Sequence, residues 1–501
     1  MALSSKHPLY TDMAPDWEIM GDTYRGERHV KSKGIRYLPA TPGMVMDGMN
    51  GLDPGIVAYR AYVERSVFHD YVADAVETLL GMMHHQPPEI ELPTQMEFLL
   101  DNASTNGEGL EDVLRRINER QLVKGRIGLL LDFPTTPVLG QPEMYVALYE
   151  AETLLNWDDE SDDGSRLAQL NMVIMDESRF ERQNELNWEY IKRFRVLALT
   201  NGAGVPQRLG VYQQGLYVDT ETFSPGLMNT PSIRGNTLEQ LPFVFVNSKD
   251  LVTAPDDPPL LGLARLALAI YRGEADYRQS LFNQAQDTLV VIGGNEEQGH
   301  RIGAGSSINV PIGGDAKFIG VSATGLPEQR QALENDKARA AQRAGTLVET
   351  ASSVRQSGES LNTRVRAQTA TLTQLAKSGA AGLERLLKIG AQWIGADPDK
   401  VKVSPNLDFG DQQLATKNLV ELMTAKSLGA PISKKSVHDL ARRNNLTTLD
   451  YEDEMDEIEA EAPEVLPPGG PGTGAGGNPL DLNQPPAPGQ QPPKPAPPAG
   501  Q

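Results

Sequence analysis

Few residues in this chain have the types and spacing that chemistry needs. His84 and His85 are adjacent, beside Pro87 and Pro88. Neighbours on a helix point to different faces, so the pair reads either as a helix end favoured by the macrodipole or as part of a metal site. Asp159, Ser161, Asp163 and Gly164 match the first half of a calcium loop, but the position that needs a bidentate Glu is Leu170. A solvated acidic turn is the simpler reading, with a weak divalent site as the alternative. Gly202-Ala-Gly204 and Gly303-Ala-Gly305 lack a dinucleotide fingerprint and read as turns. No phosphate-binding loop, no His-Glu-x-x-His and no Gly-x-Ser-x-Gly occurs. Without any Cys, thiolate catalysis, disulfides and Cys-ligated metal centres are excluded. The expectation is a protein with no enzymatic activity and no cofactor.

The elements that would position other chemistry are mixed, and the composition reads as an α+β fold. The first 52 residues, rich in Gly, Pro and Met, suggest an extended arm. A helix is expected from Asp53-Pro54, where Ile56, Tyr59, Val63, Val67, Val72, Val76 and Leu79 recur at helical spacing. Leu110–Lys124 reads as a second helix stopped by Gly125, and Arg126–Phe133 and Met144–Tyr149 as buried strands. Leu170–Asn247 is mostly strand. Trp157, Trp188 and Trp393 are expected in the core.

Helices return at Leu260–Asp287, which holds the most apolar stretch (Leu260–Tyr271). A dozen residues interrupted by Arg265 fall short of the roughly 20 a membrane span needs. A short Gly-rich β segment follows, with Leu289–Ile292, Ile308–Val310 and Phe318–Val321 as its strands. Leu326–Ala344 is a helix polar almost all round, with Leu326 and Leu333 its large apolar residues, so it bridges solvent or packs against copies of itself. Ser360–Ile394 is a long helix, and Gly345–Glu359 between the two is small and polar. Further helices follow Asp411 and Ser433. Pro463–Gln501 holds 13 Pro and 8 Gly and reads as a disordered tail.

The formal net charge is −21, which argues against a protein coated with nucleic acid. Residues 321–390 depart from it, with ten basic and six acidic side chains, or +4. Solvated helix faces with i,i+4 pairs account for this excess. So do intersubunit salt bridges or occasional phosphate contact.

The order of these parts resembles a tailed-bacteriophage portal protein. Seven local stretches resemble one portal family known mainly as phage proteins of unknown function. They are Gly26–Pro39 (GERHVKSKGIRYLP), Tyr59–Leu80, Asn106–Pro134, Glu152–Trp157 (ETLLNW), Leu241–Asn247, Arg355–Arg366 (RQSGESLNTRVR) and Pro431–Glu461. Each patch is weak alone, and together they cover about residues 5–462.

The resemblance implies a ring, usually of twelve copies, at one capsid vertex, through which double-stranded DNA is packaged and ejected. A wing would span 53–259. Stem helices would span 260–287 and 324–344, with a β clip at 288–323 between them. A tunnel loop at 345–359, a long wing helix at 360–398 and a crown at 399–462 would follow, with the tail at 463–501.

The implied DNA-facing residues are Thr350, Ser352, Ser353, Arg355, Gln356 and Ser357 of the loop, with Lys337, Arg339 and Arg343 as basic residues of stem and channel. Clip residues Asn295, Glu296, Glu297, His300 and Arg301 would meet the terminase large subunit and later the head–tail adaptor. The major capsid and scaffold proteins would be further partners. No membrane would be involved, and the protein would reside in the virion after assembly in the bacterial cytoplasm. Another ring-forming virion part, an adaptor or a scaffold, is the alternative.

Overall fold

A computed structural model describes residues 2–134, 144–159, 170–207, 210–233, 235–284, 288–292, 312–319, 325–346, 358–407, 409, 423–424, 433–443, 447 and 449–461. The chain divides into two units, Met1–Asp411 and Gln412–Gln501. Its helices and strands are mixed in the α+β manner.

The first unit contains helices α1 (Pro8–Tyr24), α2 (Glu27–Ser32), α3 (Pro42–Met46), α4 (Pro54–Arg65), α5 (Tyr71–Met83) and α6 (Leu110–Lys124), then α7 (Leu261–Gln284), α8 (Leu326–Thr346) and α9 (Gly358–Ile394). Its strands are β1 (Glu89–Glu91), β2 (Arg126–Asp132), β3 (Tyr145–Glu150), β4 (Leu154–Asp158), β5 (Met172–Asp176), β6 (Arg179–Arg182) and β7 (Trp188–Ile191). They continue with β8 (Arg193–Thr200), β9 (Val211–Val218), β10 (Met228–Asn229), β11 (Phe243–Asn247), β12 (Thr288–Ile292), β13 (Asp315–Ile319) and β14 (Lys402–Ser404).

Two antiparallel sheets form the centre, in strand orders β10-β9-β8-β5-β4 and β11-β2-β3. Every residue of β2 is buried, as its uninterrupted apolar run requires. The long helix α9 lies over β2 and β11 with Leu383, Leu386, Leu387 and Trp393 inward. Its approach is close because Gly382 and Gly390 carry no side chain. A Cβ at Gly390 would come within 2.7 Å of Leu131 Cδ2, and one at Gly382 would strike Val246. Gly125 ends α6 in the left-handed region at φ 72°, and its N–H donates to Gln121 O.

Three expectations are corrected. The N-terminal segment is helical, not extended. His7 Nδ1 accepts from the Leu9 N–H and Pro8 occupies the first turn. Tyr10, Trp17 and Met20 then bury one face, a period that Pro8, Pro15 and Gly21 hide in the composition. The long helix expected after Pro54 is two helices. Ser66 is extended, its hydroxyl donates back to Val63 O (2.6 Å), and Phe68 packs edge-on against Tyr271 of α7. Trp188 is 63% exposed, while Trp157 and Trp393 are buried. It sits on β7, which among the described residues pairs only with β6.

In the second unit, helices Lys434–Arg443 and Tyr451–Glu461 are described. Ser433 caps the first, accepting from Ser436 N at 2.9 Å. His438 packs edge-on against Tyr451 at 5.4 Å between centroids.

Candidate functional site

The region the sequence marks out is built by α7, the ribbon β12–β13, α8 and α9. The start of α7 is anchored in the body, where Leu263, Ala264, Ala267, Ile270, Tyr271, Glu274 and Ala275 are buried. Helix α8 runs back antiparallel along it. Leu333 lies against Gly273, and the Arg343 guanidinium donates to Gly262 O at 3.0 Å. Between them, Lys337 Nζ stands 2.8 Å from Glu274 Oε2, and Arg278 holds the other oxygen at 2.8 Å. Burial pushes the Glu274 carboxyl up, but the ammonium of Lys337 and the guanidinium of Arg278 outweigh it and hold the pKa below the usual range.

Outward from this clamp the pair becomes an arm on which the packing thins: Tyr277 is half-buried against the core, and α4 holds α7 through Tyr62 to Asp276 and through Arg65 to Gln279 and the Phe282 ring. Among the residues whose side chains are described, none after Ala275 on α7, none of 290–292 and 315–317 on the ribbon and none before Leu333 on α8 is buried. About ten helical residues and a five-residue ribbon extend on the order of 15 Å and 16 Å. The ribbon pairs Thr288 with Ile319 through Ile292 with Asp315. On α8 only Leu333 and Ala340 are buried among the residues described, which explains its polar composition: two apolar positions seven apart form its whole inner seam.

The sequence-predicted residues separate accordingly. Lys337 turns inward to Glu274, so its charge belongs to the helix pair. Arg339 is exposed and stands 3.4 Å from Asp336. Arg343 holds the α7 start. Thr350, Ser352, Ser353, Arg355, Gln356 and Ser357 lie outside the described residues, as do Asn295, Glu296, Glu297, His300 and Arg301, most of the acidic turn, Gly303-Ala-Gly305 and the tail.

The family comparison follows these elements. Residues 259–394, about a quarter of the chain, match the family model described as Domain of unknown function (DUF4055). The match opens just before α7 and closes on the last residue of α9. No curated protein matches. Among solved structures, the chain is similar to one titled "Neck of native GTA particle computed with C12 symmetry", at 15% identity over 74% of this chain and 89% of that one, with a TM-score of 0.36. It is also similar to "Neck of empty GTA particle computed with C6 symmetry", at 13% identity over 80% and 93%, again with a TM-score of 0.36. Both likenesses are loose.

The remaining chemistry-bearing residues resolve as structure. His84 is mostly buried at the end of α5, its Nε2 2.9 Å from the Asn118 amide. Burial, aided by Arg115, lowers its pKa to about 4, so it is neutral at pH 7 and the macrodipole reading fails for it. Among the described residues no three His, Asp or Glu side chains converge as a metal site. Gly202 and Gly204 have φ of +85° and +78°, as turn glycines do. No helix among the described residues is long and apolar enough to cross a membrane.

Two guanidinium groups, Arg126 fully buried and Arg195 partly buried, were not foreseen. Arg195 on β8 bonds Asp132 and Glu177, each at 2.6 Å, beside a cavity of about 380 Å³. Tyr145 and Tyr149 donate to the same carboxylates, so the network is closed and offers no free base. Arg126 lies 3.8 Å from the Phe245 ring centroid and 4.5 Å from that of Trp157, and donates to Thr253 O. Burial lowers its pKa to about 9, against the pull of Asp159 and Asp256. Its position at the start of an apolar strand was the only signal in the sequence.

Proposed function

We propose that this chain is the subunit of a ring-forming head-to-tail connector of a phage-like particle, and within that class the portal. The observation that carries the reading is the arm. The outer ends of α7 and α8, with no fully buried side chain among those described, have little reason to stand together in an isolated monomer. They have one where many copies pack side by side around a wet channel. The seven ordered sequence patches support the same reading.

On this reading α7 and α8 are the stem, and the 288–323 segment is the clip that meets terminase and then the adaptor. The 345–359 segment faces DNA in front of α9, and the capsid and scaffold proteins surround the ring. The chain conducts double-stranded DNA and contributes no catalysis; terminase supplies the hydrolysis of ATP. An adaptor or scaffold role is the alternative within the ring class.

Negative-stain microscopy of the purified full chain tests the proposal. Rings with a central hole are expected, while compact monomers or dimers reject both the portal and the adaptor. Particles assembled without the chain separate these two, since loss of the portal leaves empty heads and loss of an adaptor leaves filled heads that leak DNA. ATP hydrolysis by a terminase-free ring would overturn the passive-conduit reading.

A further inference from the structure

The β6–β7 hairpin carries an aromatic face that nothing among the described residues of the first unit covers. Phe180 stands opposite Tyr190, with ring centroids 5.2 Å apart, and Arg182 opposite Trp188. These pairs share one face of the ribbon, because side chains alternate along a strand. Phe180 is 64% exposed, Trp188 63%, Tyr190 52% and the turn residue Leu186 87%. The Arg182 guanidinium is drawn to the turn carbonyls of Asn184 and Glu185, which leaves the Trp188 ring open. The opposite face is already satisfied: Glu181 pairs with Arg179 at 3.0 Å and with Arg193 at 2.6 Å. A two-stranded ribbon with an aromatic ladder in water is marginal by itself.

A second apolar knob lies in the same unit. The turn between α3 and α4 presents Met46, 88% exposed, and Leu52, 90% exposed. It is a built turn. Gly48 and Gly51 take positive φ, Asp53 Oδ2 accepts from Asn50 N at 3.0 Å, and Gly55 fits against the carbonyls of Met44 and Gly48.

We propose that the aromatic face of the hairpin seats on the α3–α4 knob of a neighbouring copy of this chain, so that every subunit offers both halves of one heterologous contact. This rests on the ring reading. The hairpin face exposes on the order of 500 Å² of apolar surface, as much as the largest patch on an ordinary monomer. That is more than half of the roughly 800 Å² each partner gives to a standard interface. Hairpin against hairpin would bury one patch in a two-fold dimer and leave the knob bare. Hairpin against knob buries both patches on every copy, and repeats until a ring closes.

The chain has no cysteine, so introduced thiols report cleanly. Leu186→Cys and Leu52→Cys chains are prepared separately, mixed, assembled and treated with a short bismaleimide. Mixed dimers are expected from the pair and none from either variant alone, and the double variant should give a ladder. Rings that form without the mixed cross-link overturn this contact and leave the ring reading standing. Cross-links within Leu186→Cys alone overturn the heterologous arrangement. A wild-type chain that forms no ring overturns the ring reading and this proposal with it. As a second measurement, Trp188→Asp should keep the far-ultraviolet circular dichroism and melting of the wild-type subunit and lose most of the rings; unchanged ring yield counts against the contact.

Discussion

The Glu274–Lys337 clamp sets how firmly α8 is held to α7, and its contribution can be worked out. The Glu274 side chain is 6% exposed and that of Lys337 is 33% exposed. Removing one partner of a fully buried pair costs about 3–5 kcal/mol. Two features reduce that here. Arg278 still holds Glu274 in Lys337→Met, and Lys337 is partly screened by water. About 1–2 kcal/mol remains, a roughly tenfold change in the opening equilibrium of α8. Hydrogen exchange of peptides from 326–346 reads that opening directly and does not need the whole chain to unfold in one step. Lys337→Met should raise α8 exchange about tenfold, and Arg339→Met should leave it nearly unchanged. Replacing both partners, as Glu274→Leu with Lys337→Met, should recover most of the loss, because two apolar groups leave no buried charge behind. The pH sign follows from the depressed pKa of Glu274. The unfolded carboxyl binds protons more readily, so the clamp's contribution is full above its unfolded value near 4.5 and is lost as pH falls through the lower folded value. Lys337→Met should weaken that acid-sensitive part. Equal protection of α8 in Lys337→Met and wild type, or equal loss in Arg339→Met, refutes the reasoning.

Two further outcomes follow from the surroundings of single residues. Gly382→Ala should destabilise by about 1 kcal/mol, because overpacking against the stiff Val246 outweighs the helix-propensity gain; Gly81→Ala, with nothing within 4 Å, should stabilise by up to about 1 kcal/mol. Urea titration followed by far-ultraviolet circular dichroism checks the opposite signs, and equal signs defeat the packing argument. His84 is held neutral with a pKa of about 4, so the unfolded chain takes up its proton first as pH falls below 6.5; stability should drop by about 1 kcal/mol between pH 7 and 5, allowing for partial solvent exposure. The same titration on His84→Gln should lack that drop.

The helices with strong periodicity were legible: Leu372, Leu375, Leu383, Leu386 and Trp393 mark α9, and Gly125 marks the end of α6. What stayed hidden has physical causes. The buried face of α1 is broken up by Pro8, Pro15 and Gly21, which report on local backbone preference and not on the tertiary face. Trp188 was expected inside because burial is the default for Trp, and only the sheet order reveals that β7 lies beyond the main sheet. Lys337 looked like a free cation because a carboxylate 63 positions earlier cannot be assigned to it before α7 and α8 are known to run antiparallel. The inner seam of α8 was half legible, since Leu333 stood out and Ala340 did not.

The charges of α8 bear on how a DNA channel lined by it would behave. The helix has four basic residues, Arg330, Lys337, Arg339 and Arg343, and three acidic ones, Glu328, Glu334 and Asp336, a difference of +1. Each basic residue already has a partner. Arg330 meets Glu334 at 2.8 Å, Lys337 meets Glu274, Arg339 meets Asp336, and Arg343 donates to Gly262 O. A cation held by a carboxylate releases few counterions when a phosphate approaches. Each phosphate neutralised contributes a slope of about −0.9 to the dependence of log K on log salt. Assembled rings should therefore bind duplex DNA weakly, with a slope no steeper than about −2 per subunit in contact. Glu334→Ala with Asp336→Ala frees Arg330 and Arg339 and should steepen that slope by one to two phosphates' worth. Fluorescence anisotropy across a salt series measures both. A wild-type slope several times steeper would mean that cations outside α8 grip the DNA, and that paired charge on this helix does not keep the channel from binding what passes through it.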